Sequence, residues 1–361
     1  MKKRKTVMLA VTMLILLSVF GIGCHAVQER KIRFAGNLAN GINIGNTLDA
    51  TGLREYKPNV EELSYETSWG NPRITGEQFA AIREAGFRSV RIPVTWEDHM
   101  AQDGTISDVW LDRVEKVVRE ALDEGLYVIL DTHHETWLDL DVERQEEICE
   151  RYRTVWTQIA GRFCDVDEHL LFEGMNEPRL RNSEHEWDEG TVKLRDMVNR
   201  LNTEFVEAVR ATGGENEKRY LMICAYASGS MQEALEALAI PDGNIIVSVH
   251  MYLPYSFCQD EEGTARWSAT ESDDTAEITE AFENMDRLFL KKGIPVIVAE
   301  CGCRDKGNET DRAAWLSFFT GMAKEYGIPC IWWDNGSTYQ LLERETGSWV
   351  YPELQQILTQ P

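Results

Sequence analysis

The chain has 361 residues, of which 43% are hydrophobic and 9% are aromatic. This composition supplies enough apolar side chains for a large buried core, and it excludes an intrinsically disordered protein. The formal net charge of −24 makes nucleic acid or an anionic lipid surface an unfavourable partner and favours a neutral or cationic one.

Residues 1–26 have the features of an export signal. A basic start, "MKKRK", precedes an apolar run, and small residues follow around Cys24 and Ala26. Three outcomes stay open: lipid attachment at Cys24 in a lipobox-like motif whose usual leucine is here Gly21, cleavage after Ala26, or retention as an anchor. We predict a signal peptide and an exported protein that is either secreted or lipid-anchored at the cell surface.

Residues 30–361 are predicted to form one domain, because no linker, low-complexity tract or short repeat interrupts them. Short apolar or β-branched runs alternate with helical patterns along this region. The eight predicted strands are Gly41–Asn46, Ser89–Pro93, Tyr127–Asp131, Leu170–Gly174, Tyr220–Cys224, Ile245–His250, Pro295–Ala299 and Cys330–Trp333. Several helical patterns end in a glycine just before the next strand, as helix C-caps do; these glycines are Gly86, Gly125, Gly293 and Gly327.

Eight such alternations favour an α/β protein with a single-domain (β/α)8 TIM barrel. An open doubly wound sheet is the alternative, but no glycine-rich nucleotide fingerprint follows the first strand. The catalytic side chains of a TIM barrel project from the C-terminal ends of its strands. Polar and aromatic residues occur at nearly all of these positions: Asn43, Asn46, Asp49, Arg91, Trp96, His133, His134, Asn176, Glu177, His250, Tyr252, Glu300, Trp333 and Asp334.

Two carboxylic acids on the fourth and seventh strands can face each other across the barrel mouth. Cleavage of a glycosidic bond needs such a pair, because one acid protonates the leaving oxygen while the other attacks the anomeric carbon or activates a water. The neighbouring residues are suited to serve this pair. Asn176 can bind a sugar hydroxyl, and Trp333 can offer an apolar face to a pyranose ring. Arg91 can keep the attacking carboxylate ionised, and His250 and Tyr252 can hydrogen-bond the two acids.

Eight motifs in this order resemble glycoside hydrolase family 5, the retaining, cellulase-type (β/α)8 barrels. They are "GINIGNTLDA", "WGNP", "VRIPVTW", "HHE", "MNEP", "HMYLPY", "VIVAECG" and "IWWDNG", and the resemblance extends from about residue 33 to residue 357. It implies that Glu177 is the general acid/base and Glu300 the nucleophile, with Glu173 a bystander within its strand or hydrogen-bond network. The remaining near-invariant positions would be Arg91, His133, Asn176, His250, Tyr252 and Trp333. Positions that resemble sugar contacts of the endoglucanase branch are Asn46, Asp49, Asn71 and His134.

One motif departs from the family pattern. Around the nucleophile, Ala299 replaces a glycine and Cys301 replaces an aromatic residue. The change leaves a thiol behind Glu300 that could make the enzyme sensitive to oxidation. Cys301 and Cys303 form the only close cysteine pair of the sequence, and without a matching cluster of ligands we predict no metal site there.

The sequence therefore predicts a retaining endo-β-1,4-glucanase that acts on a plant cell-wall β-glucan such as cellulose, mixed-linkage glucan or xyloglucan. We expect a monomer that needs no metal or organic cofactor and contacts a membrane only through the possible lipid anchor. A retaining mechanism places the two carboxyl groups about 5–5.5 Å apart. Two alternatives stay open: a β-mannanase with the same fold, and a non-catalytic surface lipoprotein that binds glycans.

Overall fold

The computed structural model describes residues 27–360, and eight parallel strands in this region close into a barrel in the order β1 to β8. Each strand pairs with the next in the sequence, and β1 pairs with β8. The prediction of a single-domain (β/α)8 barrel is confirmed. The strands are β1 Gly41–Asn43, β2 Ser89–Ile92, β3 Tyr127–Asp131, β4 Leu170–Glu173, β5 Leu221–Cys224, β6 Ile245–Met251, β7 Val296–Cys301 and β8 Cys330–Trp332.

Helices separate the strands and cover the outside of the barrel. The α-helices are α1 (residues 27–37), α2 Leu53–Tyr56, α3 Gly76–Glu84, α4 Asp108–Asp123, α5 Gln145–Arg162, α6 Val192–Ala211, α7 Gln232–Glu236, α8 Tyr255–Cys258, α9 Ser272–Leu288, α10 Glu309–Tyr326 and α11 Pro352–Thr359. Short 3-10 helices lie at Glu62–Thr67, Glu97–His99, Thr136–Leu138, Val142–Arg144, Gly214–Glu217, Tyr226–Ser228 and Leu290–Lys292. Two further strands, β9 Leu342–Glu343 and β10 Ser348–Trp349, form an antiparallel hairpin after β8.

The four glycines predicted to end helices have left-handed backbone angles. Their φ values are 103° at Gly86, 74° at Gly125, 74° at Gly293 and 68° at Gly327. Because residues with a Cβ rarely adopt this conformation, glycine lets the chain leave each helix and turn directly into the next strand.

Two apolar clusters follow from the alternation of side chains along the strands. One cluster lies between the strands and the surrounding helices, and the other fills the inside of the barrel. Helix α1 contributes Phe34 to the inner cluster, where its ring stacks on Tyr220 with 3.6 Å between the ring centres. The inner cluster thus closes one end of the barrel and leaves the other end to polar side chains. Its members are Phe34, Ala35, Leu38, Ile129, Leu171, Tyr220, Met222, Ile246, Ile297, Ala299 and Ile331.

Strand β7 contains one more residue than its neighbours near its C-terminal end. Val298 pairs with Val249 of β6, and Glu300 pairs with His250. Between these two pairs β7 therefore has one extra residue, Ala299, that has no partner in β6. The pairing with β8 shifts in the same place, between Val298 and Cys301. This β-bulge lets the consecutive residues Ala299 and Glu300 both face the inside of the barrel.

The predicted signal peptide, including Cys24 and Ala26, lies outside the described residues. Among residues 27–360, no helix combines the length and the apolar character that crossing a bilayer requires.

Candidate active site

A layer of buried polar side chains lies directly above the inner apolar cluster, at the C-terminal ends of the strands. Arg91 on β2 is its centre and is fully buried. Its guanidinium donates to Oε2 of Glu173 at 2.5 Å, Oε1 of Glu300 at 2.7 Å and Oδ1 of Asn176 at 2.8 Å. It also lies 2.7 Å from Oδ2 of Asp131. One cation therefore joins strands β2, β3, β4 and β7.

This arrangement keeps Arg91 charged although no water reaches it. Burial alone would lower the pKa of the guanidinium, but the carboxylates of Glu173, Asp131 and Glu300 outweigh burial and raise it. A buried guanidinium with several matched acceptors retains its charge and holds its partners in fixed positions. Arg91 thereby fixes the orientation of Glu300.

Glu300 projects from the bulge in β7 and has only 4% of its surface exposed. Arg91 holds Oε1, and the hydroxyl of Tyr252 donates to Oε2 at 2.9 Å. Nδ1 of His250 lies 3.6 Å from the same Oε2. Both oxygens are therefore held in place, and a fixed orientation of this kind is what a carboxylate nucleophile needs in order to attack a bound substrate.

Glu177 follows β4 on the opposite side of the barrel mouth. Nδ1 of His250 lies 3.0 Å from its Oε1, and a guanidinium nitrogen of Arg179 lies 3.5 Å from its Oε2. At least one carboxylate oxygen of Glu177 lies within 4.8 Å of one from Glu300. Retaining glycosidases have their two carboxyl groups about 5–5.5 Å apart and inverting enzymes about 6.5–9.5 Å. This upper limit on the distance between the nearest oxygens is compatible with the spacing expected for the retaining class.

His250 lies between the two acids, and the three groups shift one another's pKa values. Burial would lower its pKa, but Glu300, Glu173 and Glu177 together raise it to about 10. Burial also acts on Glu177, yet the hydrogen bond from His250 prevails and lowers the pKa of Glu177 to about 2. For Glu300, burial dominates over His250 and Arg91 and raises the pKa. The imidazole of His250 thus carries the proton nearest to Glu177.

Asn176 precedes Glu177 and is oriented from two sides. Its side-chain Oδ1 accepts from Arg91, so the amide nitrogen is the group left to donate. Its backbone N–H donates to the carbonyl of Thr132 at 3.0 Å, and its carbonyl accepts from the hydroxyl of Ser228. The amide is therefore positioned before any ligand arrives, as the predicted role in binding a sugar hydroxyl requires.

His133, His134 and Trp333 form one aromatic group at the barrel mouth. The rings of His133 and Trp333 are almost parallel, with centres 5.7 Å apart, and those of His133 and His134 meet edge to face at 4.4 Å. Nδ1 of His133 lies 2.7 Å from Oδ2 of Asp131. Gly45 lies beneath Trp333, where an added Cβ would come within 2.6 Å of the indole. Trp333 keeps a partly exposed surface, as a platform for a sugar would need.

Asp49 and Asn71 are more deeply buried than expected for residues that contact sugar. Asp49 is fully buried, and its carboxylate accepts the backbone N–H groups of Asn46 and Thr47 at 2.9 and 2.7 Å. The side chain of Asn71 donates to the carbonyls of Asn46 at 2.9 Å and Asn335 at 3.1 Å. Both residues support the loop that presents the partly exposed Asn46, which has a left-handed φ of 57°.

Four residues of this network were not predicted from the sequence to act in the site: Asp131, Glu173, Ser248 and Arg179. Asp131 holds both Arg91 and His133. Glu173 accepts from Arg91 and from the hydroxyl of Ser248, and the pKa of its carboxyl falls to about 2 because Arg91 and His250 outweigh its burial. Glu173 therefore belongs to the hydrogen-bond network. The fourth residue, Arg179, contacts Glu177. For Asp131 and Glu173, the available signal was an acid at a barrel-facing position of a strand.

Among residues 27–360, two groups of side chains have ligand atoms close enough together to hold a metal ion. The potential ligand atoms of Asp49, His133 and His134 lie within 4.8 Å of one another, and so do those of Glu177, His250 and Glu300. Most of these atoms already have partners within the protein. In the second group, Arg91 already pairs with Glu300 and His250 already pairs with Glu177, so both carboxylates have a positively charged partner.

The thiol next to Glu300 in the sequence is shielded from solvent. Cys301 is fully buried, its Sγ faces the carbonyl of Ile331 at 3.7 Å, and burial raises its pKa well above the ordinary value. A buried thiol with a raised pKa forms little of the reactive thiolate. The expected sensitivity of this position to oxidation is therefore not supported.

Comparisons with known proteins agree in family and in fold. The family model for cellulase (glycosyl hydrolase family 5) matches residues 53–338. Endoglucanase 1 from Ruminococcus albus is 43% identical over 328 residues, which cover 88% of this chain and 78% of the relative. A xyloglucan-specific endo-β-1,4-glucanase from a metagenomic library, solved with cellotriose, is 38% identical with a TM-score of 0.86, covering 92% of this chain and 99% of that one. A broad-specificity endoglucanase from Ruminococcus champanellensis, also with cellotriose, is 36% identical with a TM-score of 0.87, covering 91% and 98%.

Proposed function

Because the chain belongs to the cellulase family, glycoside hydrolase family 5, we propose that Glu177 and Glu300 cleave a β-1,4-glucan by double displacement. The chain is a glycoside hydrolase of the endoglucanase type. The observation that carries the residue assignment is the distance between the two acids. Their nearest oxygens lie within 4.8 Å of each other, which is compatible with the separation of about 5–5.5 Å between carboxyl groups that a retaining mechanism uses.

In the first step, an ionised oxygen of Glu300 attacks the anomeric carbon as the bond to the leaving oxygen breaks. Glu177 gives its proton to that oxygen, and a covalent glycosyl-enzyme remains. In the second step, Glu177 takes a proton from a water that attacks the same carbon and releases Glu300. Arg91 and Tyr252 keep the attacking carboxylate aligned, and Asn176 binds the neighbouring sugar hydroxyl.

These pKa shifts give a proton order that is the reverse of the order that the two roles need. The first step requires a protonated Glu177 and an ionised Glu300, whereas the lowered pKa belongs to Glu177 and the raised pKa to Glu300. We nevertheless favour Glu177 as the acid and Glu300 as the nucleophile, because the proton on His250 is only one hydrogen bond of 3.0 Å from Glu177. A sugar that covers Glu177 removes water from it and favours its neutral form, so the proton moves along this bond.

The substrate is a β-linked polysaccharide, and we propose a plant cell-wall β-glucan. The structural relatives include a xyloglucan-specific and a broad-specificity endoglucanase, both with cellotriose bound. The partly exposed face of Trp333 and the adjacent pair of His133 and His134 suit a glucan chain at the mouth of the barrel. Rates on galactomannan against mixed-linkage β-glucan separate this proposal from a β-mannanase.

The test is release of reducing sugar from mixed-linkage β-glucan, xyloglucan, carboxymethylcellulose and galactomannan by the wild type, Glu177→Ala and Glu300→Ala. We expect the wild type to cleave a glucan fastest and both variants to lose nearly all activity. Glu325→Ala, at an exposed position of helix α10, is the control and should match the wild type. A wild type that cleaves none of the four polysaccharides would overturn the proposal.

A second assay separates the two acids. With β-cellobiosyl fluoride, whose leaving group needs little protonation, Glu177→Ala should still form the glycosyl-enzyme, and added azide should attack it to give β-cellobiosyl azide. Glu300→Ala has no carboxylate to form that intermediate and should not yield the β-azide. The β-azide from Glu300→Ala rather than from Glu177→Ala would reverse the roles.

We also propose that residues 1–26 direct export and that the mature enzyme is a monomer. The leader sequence supports export, and the fate of Cys24 decides between a secreted and a lipid-anchored form. The mass of the mature N-terminal peptide tests this directly, because a lipid on Cys24 and cleavage after Ala26 give different peptides. A mature protein that still begins at Met1 would contradict cleavage.

A further inference from the structure

An exposed tryptophan lies in the loop between β4 and α6, close to the proposed acid. Trp187 has 59% of its surface exposed. The guanidinium carbon of Arg179 lies 3.8 Å from the centre of its ring, which is a close cation–π contact. One face of the indole is therefore held by the protein, while more than half of the side chain stays in contact with solvent.

Arg179 connects this tryptophan to the catalytic acid. The same guanidinium donates to the backbone carbonyl of Glu177 at 2.8 Å and lies 3.5 Å from its carboxylate. Its Nε donates to Glu186 at 3.3 Å, which holds it from the other side. Since these contacts share one small planar group, the centre of the Trp187 ring lies within about 9 Å of the Glu177 carboxylate.

The loop that carries Trp187 is fixed before any ligand binds. The hydroxyl of Tyr226 accepts from the backbone N–H of Leu180 at 3.0 Å and donates to the carbonyl of His185 at 2.8 Å. Gly190 has a left-handed φ of 67°, and an added Cβ would come within 2.8 Å of the Tyr226 ring. Tyr226 thus holds the loop on both sides of Trp187, so little conformational freedom remains to be lost on binding.

The chemistry of the proposed reaction defines what can lie there. Glu177 protonates the oxygen that joins the two sugars, and the departing sugar stays bonded to that oxygen. The departing sugar must therefore lie on the Glu177 side of the cleft. The C–H faces of a β-linked glucose unit are apolar and flat enough to pack on an aromatic ring.

We propose that Trp187, backed by Arg179, is the platform for the leaving-group sugar and a specificity-determining residue of this enzyme. The proposal rests on the proposed function, because it uses Glu177 as the proton donor. Trp187 selects for substrates that continue beyond the cleaved bond, and Arg179 positions both the platform and the acid.

The test compares a substrate whose leaving group is a sugar with one whose leaving group is fluoride. Mixed-linkage β-glucan leaves a sugar, whereas β-cellobiosyl fluoride leaves fluoride and has nothing to place on Trp187. For Trp187→Ala, we expect the ratio of kcat/KM on glucan to kcat/KM on the fluoride to fall about 5- to 30-fold. Trp187→Phe keeps an aromatic face and should restore most of the ratio. Circular dichroism checks that both variants are folded.

Each outcome has a distinct meaning. An unchanged ratio in Trp187→Ala, or a ratio that Trp187→Phe does not restore, overturns the platform while leaving the proposed function intact. A wild type inactive on both substrates overturns the proposed function and the platform together. Arg179→Lys retains the positive charge but loses the planar stack, so it should lower the ratio in the same direction as Trp187→Ala.

Discussion

Replacing Tyr252 by phenylalanine removes one hydroxyl and, with it, one hydrogen bond to the proposed nucleophile. The hydroxyl donates to Oε2 of Glu300 at 2.9 Å in a buried site. A hydrogen bond to a charged group contributes about 1.5–3 kcal/mol. The bond favours the ionised carboxylate and lowers the pKa of Glu300. Its loss should therefore raise that pKa by about 1 to 2.

The pH profile of activity reports this change. Attack requires ionised Glu300, and the ionised form is lost as the pH falls through its pKa. For Tyr252→Phe, the acidic limb of kcat/KM on mixed-linkage β-glucan should move to higher pH by about 1 to 2. On the acidic side of that limb, kcat/KM should be about 10- to 100-fold below the wild-type value.

A neighbouring tyrosine provides the matched control. Tyr339 lies with its ring centre 5.9 Å from that of Tyr252, but its hydroxyl donates at 2.9 Å to the carbonyl of Cys258 instead of a carboxylate. Tyr339→Phe should leave the acidic limb in place. If Tyr252→Phe is active and its acidic limb stays at the wild-type pH, the hydrogen bond does not tune Glu300 and the reasoning is refuted.

Three further predictions concern stability, the platform at the barrel mouth and the thiols. Arg91→Met leaves buried carboxylates without their cation and should lower the free energy of unfolding in urea by about 3–5 kcal/mol. Arg200→Met, which breaks a surface ion pair with Glu146 at a partly exposed position, should cost much less; equal losses would contradict the central role of Arg91. Gly45→Ala should displace Trp333 and lower kcat/KM on glucan at least about 10-fold, with unchanged kinetics the contrary result. In protein without the leader and its Cys24, fast labelling by 5,5′-dithiobis(2-nitrobenzoate) should be abolished by Cys164→Ser, since Cys164 is the only cysteine among residues 27–360 that is not buried; persistence of the fast phase would contradict this.

The barrel could be predicted from the sequence because its signals are local. Each strand is a short apolar run, and the glycine at each helix end marks the next turn. The ends of the strands were less well predicted. The first predicted strand continued to Asn46, whereas β1 ends at Asn43, and β7 continues to Cys301 beyond its predicted end at Ala299. Hydrogen bonds between strands decide these ends, and composition does not reveal them.

The sequence predicted which residues lie near the site better than it predicted which way their side chains point. The sequence places Glu177 and Glu300 at strand ends, and the fold brings their oxygens within 4.8 Å. It does not reveal that Asp49 turns to the backbone of its own loop. Nor does it reveal that Asp131 holds Arg91. The orientation of a polar side chain depends on partners that are distant in sequence.

The extra residue in β7 has a consequence for how this enzyme tolerates change. Along a regular strand, the residue after the barrel-facing Ala299 would point outward to the helices, so the bulge alone turns Glu300 inward. The inward direction of the Glu300 side chain therefore depends on the number of residues in β7 as much as on their types. Conservative replacements in β7 preserve that direction, whereas an insertion or deletion of a single residue there reverses it without replacing Glu300 itself.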